Sequence, residues 1–506
     1  MQVLRTLPAG LETWRVRIEA WARECGLDPF TTVFEMLDYR QMNEIAAYGG
    51  FPTRYPYWRF GMEFDRLSKG YTFGLQKIYE MVINNDPCYA YLMEANSPLE
   101  NKMVMAHVFG HADFFKNNVW FAQTNRKMVD ESATHGTRIR RYVDKYGLGQ
   151  VEQFLDVCHS LENLVDYYSP FVARQPRRKG GEEEIQQRDV PKIATPRPYM
   201  SSFLNPPEFL EEQRRRLEKQ RERQKRFPEY AEKDTLLFLL ENAPLESWQR
   251  DILAVVREEA YYFAPQRQTK IMNEGWATYW HSRIMTEKVL DASEVVDYAD
   301  IHSGTLGPSP GVLNPYKVGL ELYRDIEERW DKGRFGREWE DCDDLVRKRD
   351  WDRKVGLGRQ KIFEVRKLYN DITFIDTFLT DDFIARSKLF TFEFNYRSGQ
   401  YEIASREAEA VRQKLLFQLT NLGEPFIYVL DGNFRNRGEL LLHHKFEGIE
   451  LRYDWASDTL ANIQAIWQRP VHVQTIVDGK LKLLSHDGSQ FGEQGLETPF
   501  LKDALP

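Results

Sequence analysis

Cysteine is scarce: the 506 residues include four, Cys25, Cys88, Cys158 and Cys342, with no CxxC pair among them. That scarcity excludes a cysteine-rich zinc module and a disulfide framework, and fits reduced thiols in a cytosolic protein. No run of 18 or more apolar residues occurs, so no membrane-spanning helix is expected. The opening stretch, MQVLRTLPAGLETWRVRIEAWARECG, lacks both an uninterrupted apolar segment and a small-residue cleavage site. It does not read as a signal peptide, and the expected location is the cytoplasm. Neither sign of charge dominates: 69 Lys+Arg stand against 77 Asp+Glu, for a formal net charge of -8. A nucleic-acid footprint over the whole surface is therefore not expected. GxxxxGK[ST] is absent and no GxGxxG follows a strand pattern, which removes P-loop and dinucleotide chemistry. GPSPG at 307–311 matches GxSxG in form, but prolines flank Ser309 and no strand precedes it, so it reads as plain loop.

What is abundant is aromatic: 13% of residues, with 31 Phe, 25 Tyr and 12 Trp, more than a disordered chain carries. Leu11, Trp14, Ile18 and Trp21 recur at helical spacing. Residues 48–73 crowd Gly, Pro and rings together and read as an ordered loop. Helical patterns follow at 74–84, 97–120 and 149–168, then again over 234–291 and 316–330, with a Gly/Pro-rich loop at 303–315 between the last two. From 388 the period changes to that of strands, with helical stretches at 406–420 and 455–468. The expected fold is a mainly α body over 1–370, interrupted by a charged, Pro-rich connector at 174–230, and a smaller α+β domain over 385–506. The Arg-rich helix near 211–226 interleaves acids with its bases and reads as a solvated face.

Histidine is rare enough to be informative, with ten in the chain. Two of them form HVFGH, His107 and His111, four apart and so on one helix face. That is the geometry by which one rigid element gives a metal two nitrogen ligands. A hydrogen-bonded core pair is the alternative. MNEGWATYWH (272–281) places Glu274 and His281 two turns apart, with Asn273 as an N-cap and Gly275 permitting close approach of another element. A carboxylate opposite an HxxxH helix completes three protein ligands of a single-zinc hydrolase. The alternative readings are a carboxylate placed for the helix dipole at Glu274 and a core histidine at His281. The ligand types suit one divalent metal, zinc first among them, with a non-haem iron or two-metal site as a variant.

HVFGHADFFKNN, MNEGWATYWH, LNPYKVG and NRGELLLHHKFEG resemble the motifs of the SpoVR family, the stage V sporulation protein R group. The likeness implies a role in spore cortex formation in spore formers, and in stress or stationary-phase physiology elsewhere. It also implies a gene neighbourhood shared with a serine protein kinase and a von Willebrand-type protein, which are the partners it suggests. EGWATYWH further resembles the downstream Glu motif of gluzincin metallopeptidases. Carried over, His107, His111 and Glu274 would bind zinc. Val108 stands where HExxH has its glutamate, so a general base must come from elsewhere. Glu258 and Glu259 are the first candidates, with His281, then Asp113 and the His159/Glu162 pair. Two classes stay open: a metal-dependent amidase- or peptidase-like hydrolase, and a non-catalytic scaffold or regulator of the kinase system.

Overall fold

The computed structural model describes residues 5–72, 80–172, 204–224, 226–307, 312–395, 397–502 and 505. Most of the Pro-rich connector (174–203) and the GPSPG serine therefore lie outside the described residues. The chain is mainly α-helical, with small sheets and an α+β C-terminal region. Two compact units are each drawn from separated segments: one from Met1–Glu152 and Tyr261–Glu424, the other from Gln153–Ala260 and Pro425–Pro506. No helix among the described residues is long and apolar enough to cross a membrane.

The first unit combines helices with a four-stranded sheet in the order β1-β2-β4-β3. Its strands are β1 (Arg5–Thr6), β2 (Thr32–Leu37), β3 (Glu80–Ile83) and β4 (Cys88–Met93), with β2 and β4 parallel and the outer pairs antiparallel. The periodicity does not reveal this sheet. Its strands are short apolar runs, which a pattern cannot tell from buried helix. Thus β3 occupies the end of the stretch read as helix at 74–84, while 74–79 lie outside the described residues. The supposed loop at 48–73 also ends early, because Trp58–Thr72 is helical. Phe60, Phe64 and Leu67 keep helical spacing there, and the neighbouring rings disguise it. The rings do cluster: Phe60 lies 5.5 Å from Tyr55 and 5.4 Å from Tyr57.

Two long helices frame the chemistry. The histidine helix, Pro98–Asn117, starts with a capping box between Ser97 and Glu100 and a proline in its first turn. It is buried on nearly every face, hence its weak amphipathic pattern. The carboxylate helix, Lys270–Ile284, begins after Thr269. Asn273 is therefore not its N-cap. Asp371, from the Asp371–Phe378 helix, takes that role by accepting hydrogen bonds from the amides of Ile271 (2.8 Å) and Met272 (2.9 Å).

The carboxylate helix packs against both the histidine helix and the Pro315–Asp331 helix. Gly275 and Gly319 meet backbone to backbone at the second crossing, where a Cβ on either would run into the other helix. A Cβ on Gly110 would lie 2.7 Å from Ala277 Cα at the first. Trp276 and Trp280 of the same helix are fully buried. Gly275→Ala is expected to cost about 3 kcal/mol or more, because backbone cannot move aside as a side chain can. Chemical denaturation of the purified variant measures it.

A two-stranded hairpin, β5 (Thr391–Asn395) and β6 (Gln400–Ser405), belongs to this unit. The second unit contains a five-stranded sheet in the order β11-β10-β9-β8-β7. β7 (Phe426–Phe434) and β8 (Glu439–Lys445) are antiparallel, and β8 pairs in parallel with β9 (Val471–Val477). The Tyr453–Trp467 helix provides the crossover that a parallel pair requires. β10 (Lys480–His486) and β11 (Phe491–Gly495) complete the sheet, the last being a strand that the sequence pattern does not announce.

Candidate metal centre

His107 and His111 project from one face of the histidine helix, with ring centroids 4.6 Å apart and both side chains buried. Glu274 reaches them from the carboxylate helix. Its Oε2 lies 3.6 Å from His107 Nε2 and 3.5 Å from His111 Nε2. Glu80, the first residue of β3, brings Oε1 to 3.7 Å from His107 Nε2. The donor atoms of Glu80, His107 and His111 all lie within 4.8 Å of one another. A tetrahedral ion with bonds of about 2.1 Å spaces its ligand atoms about 3.4 Å apart. The separations to Glu274 and Glu80 are therefore close to the edges of one coordination tetrahedron.

Each Nε2 faces the cluster because each Nδ1 is engaged elsewhere. His111 Nδ1 is 2.9 Å from Asn273 Oδ1, so the hydrogen sits on Nδ1 and the Nε2 lone pair points inward. His107 Nδ1 is 2.9 Å from His281 Nδ1. His281 Nε2 in turn lies 3.2 Å from His302 Nδ1, which makes a line of three imidazoles. The Tyr316 hydroxyl lies within electrostatic reach of Glu274 and Glu80, and its ring lies over His107 at 6.1 Å. Glu274 Oε2 itself is buried and has no hydrogen-bond partner among the described residues. An ionised oxygen left bare beside two imidazole lone pairs is costly unless a cation joins them.

The two carboxylates differ. Burial pushes Glu274 up, but the facing His107 and His111 imidazoles outweigh it in the metal-free protein and hold the group below its ordinary value. Burial pushes Glu80 up to about 7, opposed by His107 and reinforced by Glu274. Burial, then the charge of His107, depresses His111 to about 4. Burial likewise drives His281 well down, with His107 and His302 adding to it. One carboxylate is thus fixed as an anion while its neighbour titrates near neutrality, the division of labour by which paired acids take separate roles.

Of the residues singled out in the sequence, His107, His111, Glu274 and His281 come together. Glu258 and Glu259 lie on the Ser247–Gln268 helix, in the portion that belongs to the other unit. Asp113 is occupied: it accepts from the Trp276 indole (2.8 Å) and the Asp28 amide (2.8 Å), with Arg366 at 3.6 Å. His159 and Glu162 pair with each other at 2.9 Å in the second unit. His302, to which the sequence assigns no role, sits in the Val295–Thr305 helix, ahead of the Gly/Pro-rich residues that follow it. Glu80 and Tyr316 are the additions, while Asn273 turns from the expected N-cap into the partner of His111. Tyr316 carried a sequence signal, its place in LNPYKVG, and Glu80 carried none.

Residues 6–424 match the family model described as SpoVR like protein. A relative from Escherichia coli strain K12, the uncharacterized protein YcgB, is 29% identical over 520 residues, covering 95% of this chain and 95% of its own length. No solved structure matches the chain.

Proposed function

The chain belongs to the SpoVR family, and on that premise we propose that it is a cytoplasmic metalloprotein with a single-zinc hydrolase site. His107, His111 and Glu274 hold the ion and Glu80 serves as general base. The observation that carries this reading is the unpartnered Oε2 of Glu274, 3.5 and 3.6 Å from the two Nε2 atoms. A divalent metal in that position supplies Lewis-acid polarisation of a carbonyl and acidification of water. The protein supplies the rest. Asn273 holds His111 and His281 holds His107, one partner for each imidazole, with Tyr316 placed beside Glu274. Glu80 replaces the carboxylate that Val108 cannot provide, and near neutral pH it accepts a proton readily. The bond class is an amide or a related acyl bond. The physiological setting is spore cortex formation or stress and stationary-phase physiology, with the neighbouring kinase and von Willebrand-type proteins as partners.

Metal analysis of protein purified without chelator tests the site, and a peptide and amide library assayed with and without chelator tests turnover. Stoichiometric zinc and chelator-sensitive hydrolysis are expected. His281→Ala is expected to weaken zinc binding about 10- to 100-fold with the fold retained, the usual cost of losing a ligand's own partner. Competition against a chromogenic chelator measures it. Val108 favours a second reading, a scaffold or regulator of the kinase system that keeps the ion without turnover. Stoichiometric zinc with no hydrolysis of any library member would select it.

A further inference from the structure

The line of imidazoles that begins at His107 ends among hydrogen-bond donors. His302 and Tyr298 lie one turn apart on the Val295–Thr305 helix, with rings stacked at 5.5 Å and 15°. Tyr298 is buried (5% exposed), and its hydroxyl has no hydrogen-bond partner among the described residues. Arg324, on the Pro315–Asp331 helix, sets Nη2 at 3.4 Å from Ser282 Oγ, the residue next to His281. Its side chain is exposed, and no carboxylate lies within 4.0 Å of its guanidinium among the described residues. Its positive charge acts on His281, His302 and Tyr298 alike.

The direction of the line follows from the reading of the metal centre, on which this one step rests. Ligation through His107 Nε2 leaves the hydrogen on Nδ1, which donates to His281 Nδ1. His281 then donates from Nε2 to His302 Nδ1, and His302 presents its Nε2–H beyond the line. A guanidinium fork, an unsatisfied phenol O–H and an imidazole N–H, with no carboxylate among them, complement an oxyanion.

We propose that Arg324, Tyr298 and His302 form an anion subsite that takes a carboxylate or phosphate group of the substrate, two imidazoles from the metal ligands. The substrate class is narrowed accordingly to acyl compounds carrying a second, anionic group.

The test is calorimetric titration of the 506-residue chain, metal-free and zinc-loaded, with inorganic phosphate and separately with acetate. Saturable binding to the wild type without metal is expected. Arg324→Gln should weaken it at least tenfold and Tyr298→Phe several-fold, with zinc stoichiometry and melting temperature unchanged. A preference for phosphate or for acetate identifies the anion. Wild-type binding of neither anion, or equal binding by Arg324→Gln, overturns the subsite, as does anion binding seen only with zinc and indifferent to Arg324. If the wild type takes no zinc yet binds anions through Arg324, the metal reading fails while the subsite stands.

Discussion

Protein carrying His107→Ala or Glu274→Ala is expected to lose its divalent metal while retaining its fold. The His107 imidazole and the Glu274 carboxylate come from separate helices, and their donor atoms are 3.6 Å apart. Neither substitution touches the close crossing at Gly275 and Gly319, so the helical frame remains. The loss in affinity should exceed the 10- to 100-fold that removal of a ligand's partner costs, because a donor atom itself is gone. Melting temperature provides a second readout. Ligand binding to the native state stabilises by about 4 kcal/mol at 1,000-fold excess over the dissociation constant. Zinc should therefore raise the melting temperature of the wild type and leave both variants where they are. A folded wild type that takes up no metal, and whose melting point zinc does not move, would sink the site.

The two helices that frame this centre were legible because their chemistry is local. HVFGH fixes its two imidazoles on one face by spacing alone, and the glycine of NEGWATYWH announces the close crossing that Gly319 completes. What was illegible is tertiary. Glu80 lies on a four-residue strand whose sequence neighbours give no hint of a helix starting 18 residues later. Glu258 and Glu259 stand as candidate bases because paired acids precede the motif in sequence, and they lie on the Ser247–Gln268 helix, which both compact units share. Asn273 looked like a cap because amides commonly cap helices. Asp371, about a hundred residues downstream, caps this helix instead, which frees Asn273 to hold His111. That each compact unit is assembled from two separated segments also leaves no local trace in composition or period.

Glu80→Gln is expected to lower turnover by about 10²- to 10⁴-fold while leaving zinc stoichiometry intact, since the proposed ligands are His107, His111 and Glu274. The pH dependence should carry the signature of the same group with two opposite signs. A base must be ionised, so wild-type activity should rise with pH along a limb that the bound cation draws below the metal-free Glu80 value of about 7. Stability of the metal-free protein should move the other way. The folded protein keeps the Glu80 proton up to about 7, whereas the unfolded chain releases it near 4.5. Between those values the native state binds more protons, so its stability is highest below 4.5 and falls as pH rises through the window. A shift of that size corresponds to at most about 3 kcal/mol, and a side chain still 21% exposed keeps the effect below that ceiling. Glu80→Gln should flatten both limbs, because glutamine has no proton to lose. His111 adds the opposite slope. Its native value near 4, against 6.5 for the free group, removes stability as pH falls through that range in wild type and variant alike. Should Glu80→Gln retain full turnover with its rising pH limb while His107→Ala abolishes activity, the base lies elsewhere and Glu258 or Glu259 returns as the candidate.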